Sequence, residues 1–329
     1  MTRSDLLKKM FQSYRNGDHT GFSAAAQQVI DDERKKNHVI LANELERLLS
    51  NGAVARPLHS GNLRPLPKAR EDAPLLRLEE PSRSFQELVL KPETRKNLLQ
   101  VVSEFRSGSV LHAHAMRPRS HLLFVGPPGC GKSVTAEAIA MELGLPLAKV
   151  HLATVVSSYL GETSRNLEAI FRFCEQGSWV LLFDEFDALA KERSDRAEHG
   201  ELKRVVTAFL QLLDGFHGPS MVIATTNHPA LLDEAVWRRF DEVVAFPLPT
   251  EEEIEKVLEI KLRSVRIRFA KNGVAHRLKG LSHADIEAVC HDALRQAILD
   301  GRNTVELQQM MRGLSRMKNR WKTIRSFRG

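Results

Sequence analysis

The sequence has few cysteines, few tyrosines and no long apolar run. Its 329 residues include three cysteines, Cys130, Cys174 and Cys290, without the paired spacing of a zinc site or a disulfide framework. There is no stretch of about 18 apolar residues, which a membrane-spanning helix needs, and no apolar signal-peptide core at the start. The zinc-protease motif H-E-x-x-H does not occur either. We therefore expect a soluble cytoplasmic protein with reduced thiols, no membrane partner and no built-in protease of that kind.

The net charge of +7 belongs to one end of the chain. Eight of the 48 basic residues but only one of the 41 acidic residues lie in residues 302–329, which leaves 40 of each sign in residues 1–301. Three interpretations of this basic tail stay open: contact with nucleic acid, contact with an acidic partner or neighbouring subunit, and a solvated helix. Because the body of the chain is neutral, nucleic acid is a possible partner but not the favoured one.

The length suits about two domains, and the patterns along the chain predict four parts. These are an N-terminal helical domain over 1–52, a proline-rich linker over 53–82, an α/β nucleotide-binding domain over 83–247 and a helical lid with a basic tail over 248–329.

The first two parts differ in their periodicity. Helical spacing gives one apolar face to Leu6, Leu7, Met10, Phe11 and Tyr14. A second helix is predicted over residues 22–30 and a third over residues 41–49. Five of the fourteen prolines then fall within residues 53–82, where the periodicity disappears. This composition predicts an extended segment.

From residue 120 onward, short apolar strands alternate with helical patterns, and after Pro249 the pattern is helical only. The predicted strands are His121–Val125, Ala148–Leu152, Val180–Phe183, Met221–Thr225 and Val243–Phe246. Continuous apolar strands separated by helices are typical of a parallel sheet covered on both faces. The predicted fold class is therefore α/β, with an α-helical lid and a small N-terminal helical domain.

A glycine-rich segment joins the first predicted strand to a helix. It matches the phosphate-binding motif G-x-x-x-x-G-K-[ST] with Gly126, Pro127, Pro128, Gly129, Cys130, Gly131, Lys132 and Ser133. Glycines let successive backbone N–H groups point at phosphates, and the helix that follows adds its positive N terminus. We expect Lys132 to reach the β and γ phosphates of ATP and the Ser133 hydroxyl to coordinate Mg²⁺. The sheet is thus predicted to be that of a P-loop NTPase.

Two carboxylates follow the apolar strand Val180–Phe183. The carboxyl ends of parallel strands are where open α/β sheets place their ligands. We expect Asp184 to hold the Mg²⁺ shell and Glu185 to orient and polarise the attacking water, because phosphoryl transfer depends on positioning and charge stabilisation.

Over residues 83–300 the sequence resembles the AAA ATPases, a family of ring-forming P-loop motors. Residues 221–227 are similar to the family's sensor-1 strand, which implies that Asn227 lies beside the γ-phosphate and the attacking water. Arg238 and Arg239 stand at the arginine-finger position and are implied to complete a neighbouring subunit's site. Their spacing, with Trp237 before them, is similar to that of the katanin and spastin branch.

Three further segments carry the resemblance. Tyr159 and Leu160 lie in a segment similar to the central-pore loop, which implies that they grip an extended polypeptide. Residues 213–216 resemble the segment that relays nucleotide state between subunits. Residues 280–286 resemble the start of the lid helix, but His283 stands where the family more often has glycine, which argues against a nucleotide contact from this turn.

The resemblance implies an Mg²⁺-dependent ATPase that forms a ring, a hexamer by family precedent, and remodels, unfolds or threads a protein substrate. The N-terminal helices would dock a partner, such as a separate enzyme. Two alternatives stay open. One is a nucleic-acid-associated P-loop ATPase of the loader or helicase type, and the other is a nucleotide-gated scaffold that serves a separate enzyme such as a protease.

Overall fold

The structure is a computed structural model that describes residues 3–15, 19–35, 65–70, 72–156, 161–189 and 199–327. The chain divides into two compact units, Met1–Leu63 and Arg64–Gly329. Two predictions, the third helix over residues 41–49 and the pore loop with Tyr159 and Leu160, fall outside the described residues.

The N-terminal unit contains helices α1 (Arg3–Arg15) and α2 (His19–Lys35). Leu6 on α1 is buried, as are Ala25 and Ile30 on α2. Phe11 was expected on the same face as Leu6 but is 73% exposed. Each residue advances about 100° around a helix, so the buried row through Leu6 and Ser13 leaves Phe11 on the opposite side.

A six-stranded sheet forms the centre of the second unit. Its strands are β1 (Leu76–Glu79), β2 (His121–Val125), β3 (Leu147–Val150), β4 (Val180–Phe183), β5 (Met221–Thr226) and β6 (Glu242–Ala245). Their spatial order is β1-β3-β4-β5-β2-β6, and every pair is parallel except β1 with β3. The predicted α/β class is confirmed. Strand β1 was not predicted, and it lies in the stretch expected to be a linker.

Helices cover both faces of this sheet. They are α3 (Pro92–Arg106), α4 (Gly108–Ala113), α5 (Lys132–Leu143), α6 (Leu152–Val155), α7 (Glu162–Glu175), α8 (His199–Gly215) and α9 (Glu234–Trp237), with 3₁₀ turns at Phe85–Glu87, Phe186–Leu189 and Pro229–Leu231. Alternation along β4 sends Phe183 into one core with Phe171 and Phe209, and Leu182 into the other with Phe124. The ends of the strands are thereby held between two packed layers.

The lid follows the sheet. It consists of α10 (Glu251–Lys261), α11 (Lys271–Leu278), α12 (His283–Leu299) and α13 (Leu307–Ser326), with a short parallel pair of strands, β7 (Arg266–Arg268) and β8 (Thr304–Glu306). For this region the sequence predicted helices and no strands. The two strands have three residues each, too few to produce a visible alternation. Among the residues described, no helix is both long and apolar enough to cross a membrane.

Candidate functional site

The predicted phosphate loop lies between β2 and α5, at the carboxyl end of the sheet. Three of its residues, Gly126, Gly129 and Gly131, have positive φ angles of 148°, 75° and 95°, a region that glycine enters without steric cost. A Cβ atom on Gly126 would lie 2.2 Å from the carbonyl oxygen of Phe246. Close packing of the loop against the end of β6 therefore requires glycine there.

Lys132 is folded back onto this loop. Its Nζ donates hydrogen bonds to the carbonyl oxygens of Gly126 at 2.8 Å and Pro127 at 2.9 Å, and to Oδ1 of Asn227 at 2.8 Å. The residue is only 6% exposed, and burial lowers the pKa of its ammonium group. The structure thus brings two predicted site residues, Lys132 and Asn227, into direct contact.

Asp184 receives hydrogen bonds from both neighbouring segments. Its Oδ1 accepts from Oγ of Ser133 and from Oγ1 of Thr225, each at 2.7 Å. The Thr225 hydroxyl in turn accepts the Glu185 backbone N–H at 3.0 Å. Carboxylate and hydroxyl oxygens are ligands that Mg²⁺ prefers, usually one or two of them with phosphate and water completing the shell. The pair Ser133 and Asp184 therefore fits a Mg²⁺ site.

The turn after β4 holds Glu185 in a left-handed conformation, with a φ of 56°. Its side chain is exposed, whereas Phe186 and Asp187, the two residues that follow it, are fully buried. Asp187 Oδ1 accepts hydrogen bonds from Oγ1 of Thr226 and from the backbone N–H of Asn227, each at 3.2 Å. Glu185 and Asn227 are therefore fixed to each other through buried neighbours.

These residues share one cavity of about 260 Å³, which we call the nucleotide cavity. Its polar side includes the loop residues 128–133 together with Asp184, Glu185 and Asn227. Its apolar side is formed by residues that the sequence did not single out: Leu88, Leu90, Val134, Val257 and Ile260. They come from three separate segments, so no local motif could reveal them. An apolar slot beside phosphate-binding groups is the usual form of a nucleotide site.

The lid touches the phosphate loop at the start of α12. The backbone N–H of Ala284 donates to the carbonyl oxygen of Gly129 at 3.0 Å, and a Cβ atom on Gly129 would lie 2.7 Å from Oγ of Ser282. Ser282 and Asp285 cap the helix by exchanging side-chain hydrogen bonds. The lid turn thus packs directly against the loop.

His283 belongs to this same turn and lines the nucleotide cavity. Both of its ring nitrogens are buried and find no hydrogen-bond partner within the part of the chain that the structure describes. Burial lowers the pKa of the ring, and Glu253 opposes that effect.

Arg238 and Arg239, both in the described part of the chain, do not line this cavity. Arg238, which follows α9, pairs with Glu234 at the start of that helix, and Nη1 of Arg239 lies 2.6 Å from Oδ2 of Asp214 at the end of α8. The Arg239 side chain is 49% exposed. The predicted catalytic residues therefore fall into two groups, one inside the cavity and one on the surface.

Comparison with known proteins supports the resemblance. Residues 122–248 match the family described as "ATPase family associated with various cellular activities (AAA)". The chain is 41% identical over 319 residues to the uncharacterized AAA family ATPase y4kL of Sinorhizobium fredii, and these residues are 95% of each chain.

Two further relatives match over shorter regions. The katanin p60 ATPase-containing subunit A1 of Strongylocentrotus purpuratus is 34% identical over 194 residues, which are 55% of this chain and 38% of that one. A 26S proteasome regulatory subunit homolog of Methanocaldococcus jannaschii, MJ1494, is 29% identical over 242 residues, 72% of this chain and 64% of that one. The chain therefore spans nearly all of the Sinorhizobium protein but only about two fifths of the katanin subunit.

Identity of this extent runs through both the sheet and the lid and is not confined to a short motif. The phosphate loop and the paired acids lie within the matched region. This chain is therefore a member of the AAA family and an ATPase.

Proposed function

We propose that this ATPase binds ATP with Mg²⁺ in the nucleotide cavity, assembles into a ring, and uses hydrolysis to pull on or remodel a protein substrate in the cytoplasm. One observation carries the proposal. Nine of the predicted site residues line a single cavity, whereas Arg238 and Arg239 of the same chain lie outside it. A second copy that offers its arginines would complete the site.

The residues inside the cavity would divide the work. Lys132 and the backbone N–H groups of the loop would bind the β and γ phosphates. Ser133 and Asp184 would hold Mg²⁺, which when bound neutralises charge on the phosphate oxygens. Glu185 would orient a water molecule and accept its proton as the water oxygen attacks the γ-phosphorus and the bond to the ADP oxygen breaks.

Nucleotide binding would also change the contact between Lys132 and Asn227. Phosphate oxygens compete for the lysine ammonium, so Lys132 would leave Asn227 and the loop carbonyls when ATP enters. The amide of Asn227 would then be available to the attacking water or to a γ-phosphate oxygen. This exchange would link occupancy of the cavity to the end of β5.

A ring explains the exposed arginines. A cation supplied by a neighbouring subunit stabilises charge that develops in the transition state and is worth about 10³ to 10⁵ in rate. The names of two relatives, a katanin subunit and a proteasome regulatory subunit homolog, place those proteins in assemblies. By the resemblance, Tyr159 and Leu160 would grip the substrate in the pore of a hexamer, and the N-terminal helices over 1–52 would dock a partner.

Mixing two inactive variants tests the shared site. Glu185→Gln lacks the residue that orients water, and Arg239→Ala lacks the finger, so each should bind ATP and hydrolyse it poorly when assayed alone. In a mixed assembly, some cavities combine Glu185 of one variant with Arg239 of the other, and activity should return. Assembled mixtures that stay inactive, or Arg239→Ala turning over normally by itself, would reject the shared site.

A second experiment separates hydrolysis from mechanical work. Tyr159→Ala should keep its basal ATPase rate but lose the stimulation that an unstructured polypeptide produces in the wild type. The matched control is Tyr14→Ala, since Tyr14 is the other of the two tyrosines. Normal stimulation of Tyr159→Ala would contradict the pore assignment.

The basic surface of α13 favours one alternative, a nucleic-acid-associated ATPase. Lys318, Arg320 and Lys322 are exposed on this helix, whereas its Met310 and Met317 belong to the lid core. Deleting the helix would therefore damage the lid. Changing the three basic residues to glutamine is the cleaner test, and a salt-dependent DNA or RNA complex that disappears in this variant would favour the alternative.

A further inference from the structure

Strand β3 carries one charged residue among apolar ones. Ala148 and Val150 are buried on either side of Lys149, and the strand lies between β1 and β4. Strands that are covered on both faces normally read as continuous apolar runs. The lysine therefore needs a reason other than strand formation.

The ammonium group of Lys149 points at the proposed metal ligand. Its Nζ lies 3.5 Å from Oδ2 of Asp184, and the Lys149 side chain is 40% exposed. The other oxygen of this carboxylate, Oδ1, accepts the hydroxyls of Ser133 and Thr225. The two oxygens of Asp184 thus face different chemistry, with hydroxyl donors on one and a cation on the other.

From this geometry we infer that Lys149 is a positioning residue that sets how strongly the site depends on Mg²⁺. The inference rests on the proposed nucleotide and metal site. The ammonium balances the charge of Asp184 while no metal is bound, and it opposes a divalent cation that approaches the same carboxylate.

When Lys149 loses its charge, both effects increase the preference of the site for nucleotide bound with Mg²⁺ over nucleotide bound without it. Without Mg²⁺, an uncompensated Asp184 repels the triphosphate, so nucleotide binding weakens. With Mg²⁺, the metal no longer meets a neighbouring cation, so the metal complex binds as well as before or more tightly. For charges about 4 Å apart that solvent screens nearly as well as bulk water does, the change in an equilibrium constant is on the order of tenfold. The ratio of the dissociation constant without Mg²⁺ to that with Mg²⁺ should rise by about that factor.

The experiment measures binding, not turnover. A fluorescent, non-hydrolysable ATP analogue is titrated onto the full chain in saturating Mg²⁺ and again in EDTA. Lys149→Met keeps the aliphatic stem and removes the charge, and Lys149→Gln serves the same purpose if the methionine variant is unstable. Lys149→Arg restores the charge, and Lys318→Met removes one charge from the exposed face of α13.

We expect the ratio to rise about tenfold in Lys149→Met and Lys149→Gln and to stay near the wild-type value in Lys149→Arg and Lys318→Met. An unchanged ratio in folded Lys149→Met, with a wild type that binds more tightly in Mg²⁺, overturns this inference alone. A wild type whose binding is indifferent to Mg²⁺, or survives Lys132→Met, overturns the proposed site itself.

Discussion

Lys132 donates a hydrogen bond of 2.8 Å to the side-chain oxygen of Asn227, a residue 95 positions further along the chain. The two residues follow β2 and β5, which are neighbouring parallel strands, and parallel strands present their carboxyl ends at the same edge of a sheet. The ammonium group that we propose to bind phosphate is thus held between the loop and the end of β5.

Lys132→Met should abolish useful nucleotide binding. Charge-assisted hydrogen bonds are worth about 1.5 to 3 kcal/mol each, so losing contacts to two phosphate oxygens should weaken ATP affinity by about 100-fold or more. The measurement is the rise in melting temperature on adding ATP, which the wild type should show and the variant should not. An equal rise in both proteins would mean that Lys132 does not contact the nucleotide.

The backbone conformation at Glu185 predicts that a glycine replacement is more stable than an alanine replacement. A left-handed residue other than glycine costs roughly 1 to 2 kcal/mol, and the exposed Glu185 side chain loses little packing when removed. Glu185→Gly should therefore unfold with a free energy about 1 kcal/mol higher than Glu185→Ala. Urea titration without nucleotide measures the difference.

The same pair of substitutions at Glu168 supplies the control. Glu168 is exposed on α7 and pairs with Arg172 one turn later, so both replacements lose the same ion pair. In a helix interior glycine is about 1 kcal/mol worse than alanine, and the order should reverse. If glycine is the less stable replacement at both positions, Glu185 is not strained in solution.

The sequence predicted the parts of the site that are local in the chain. The loop over 126–133 and the acids after β4 have fixed spacing along the chain, and apolar strands placed both at one sheet edge. The contact between Lys149 and Asp184 could not be predicted, because it depends on which strand lies beside β4. Strand β1 was missed because it has only four residues and lies within the proline-rich stretch.

The position of His283 in the fold was not predicted either. The residue lines the cavity, and the expectation that this turn makes no nucleotide contact, which rests on the family's glycine, stays a prediction. Packing of the lid turn on Gly129 decides this position, and that packing involves residues more than 150 positions apart. Long-range contacts of this kind leave no periodic signal in the sequence.

Stability should depend on pH through His283. Burial lowers the pKa of its ring below the ordinary value of 6.5, so the unfolded chain binds a proton more readily than the folded one. Stability then rises with pH and is lost as pH falls below about 6.5. We expect His283→Asn, which cannot be protonated, to lose less stability than the wild type between neutral pH and the region below 6.5.

His276 is the matched control for this effect. It is exposed on α11, with Nδ1 3.2 Å from Oε1 of Glu251, and is not buried against the loop. His276→Asn should keep the acid sensitivity that His283→Asn reduces, as measured by urea titration over a pH series. Parallel pH profiles for the wild type and His283→Asn would show that His283 titrates alike in both states.

An aromatic cluster supports the turn that carries Glu185. The ring of Phe209 on α8 lies 4.6 Å from that of Phe186, which follows Glu185, and 5.0 Å from that of Phe183, which precedes Asp184. Phe209→Ala should cost about 3 to 5 kcal/mol of unfolding free energy, the usual loss for a buried aromatic side chain.

The smaller change Phe209→Leu tests whether this packing also serves catalysis. It should keep the fold but loosen Phe186, so the position of the Glu185 carboxylate becomes less defined. The hydrolysis rate should then fall severalfold while ATP affinity stays near the wild-type value, because Lys132 and the loop are anchored to β2 and α5 instead. Phe11→Leu, a change at a ring that is 73% exposed, should leave both quantities unchanged. A Phe209→Leu variant that loses affinity and rate in parallel would indicate general damage to the fold and not a displaced Glu185.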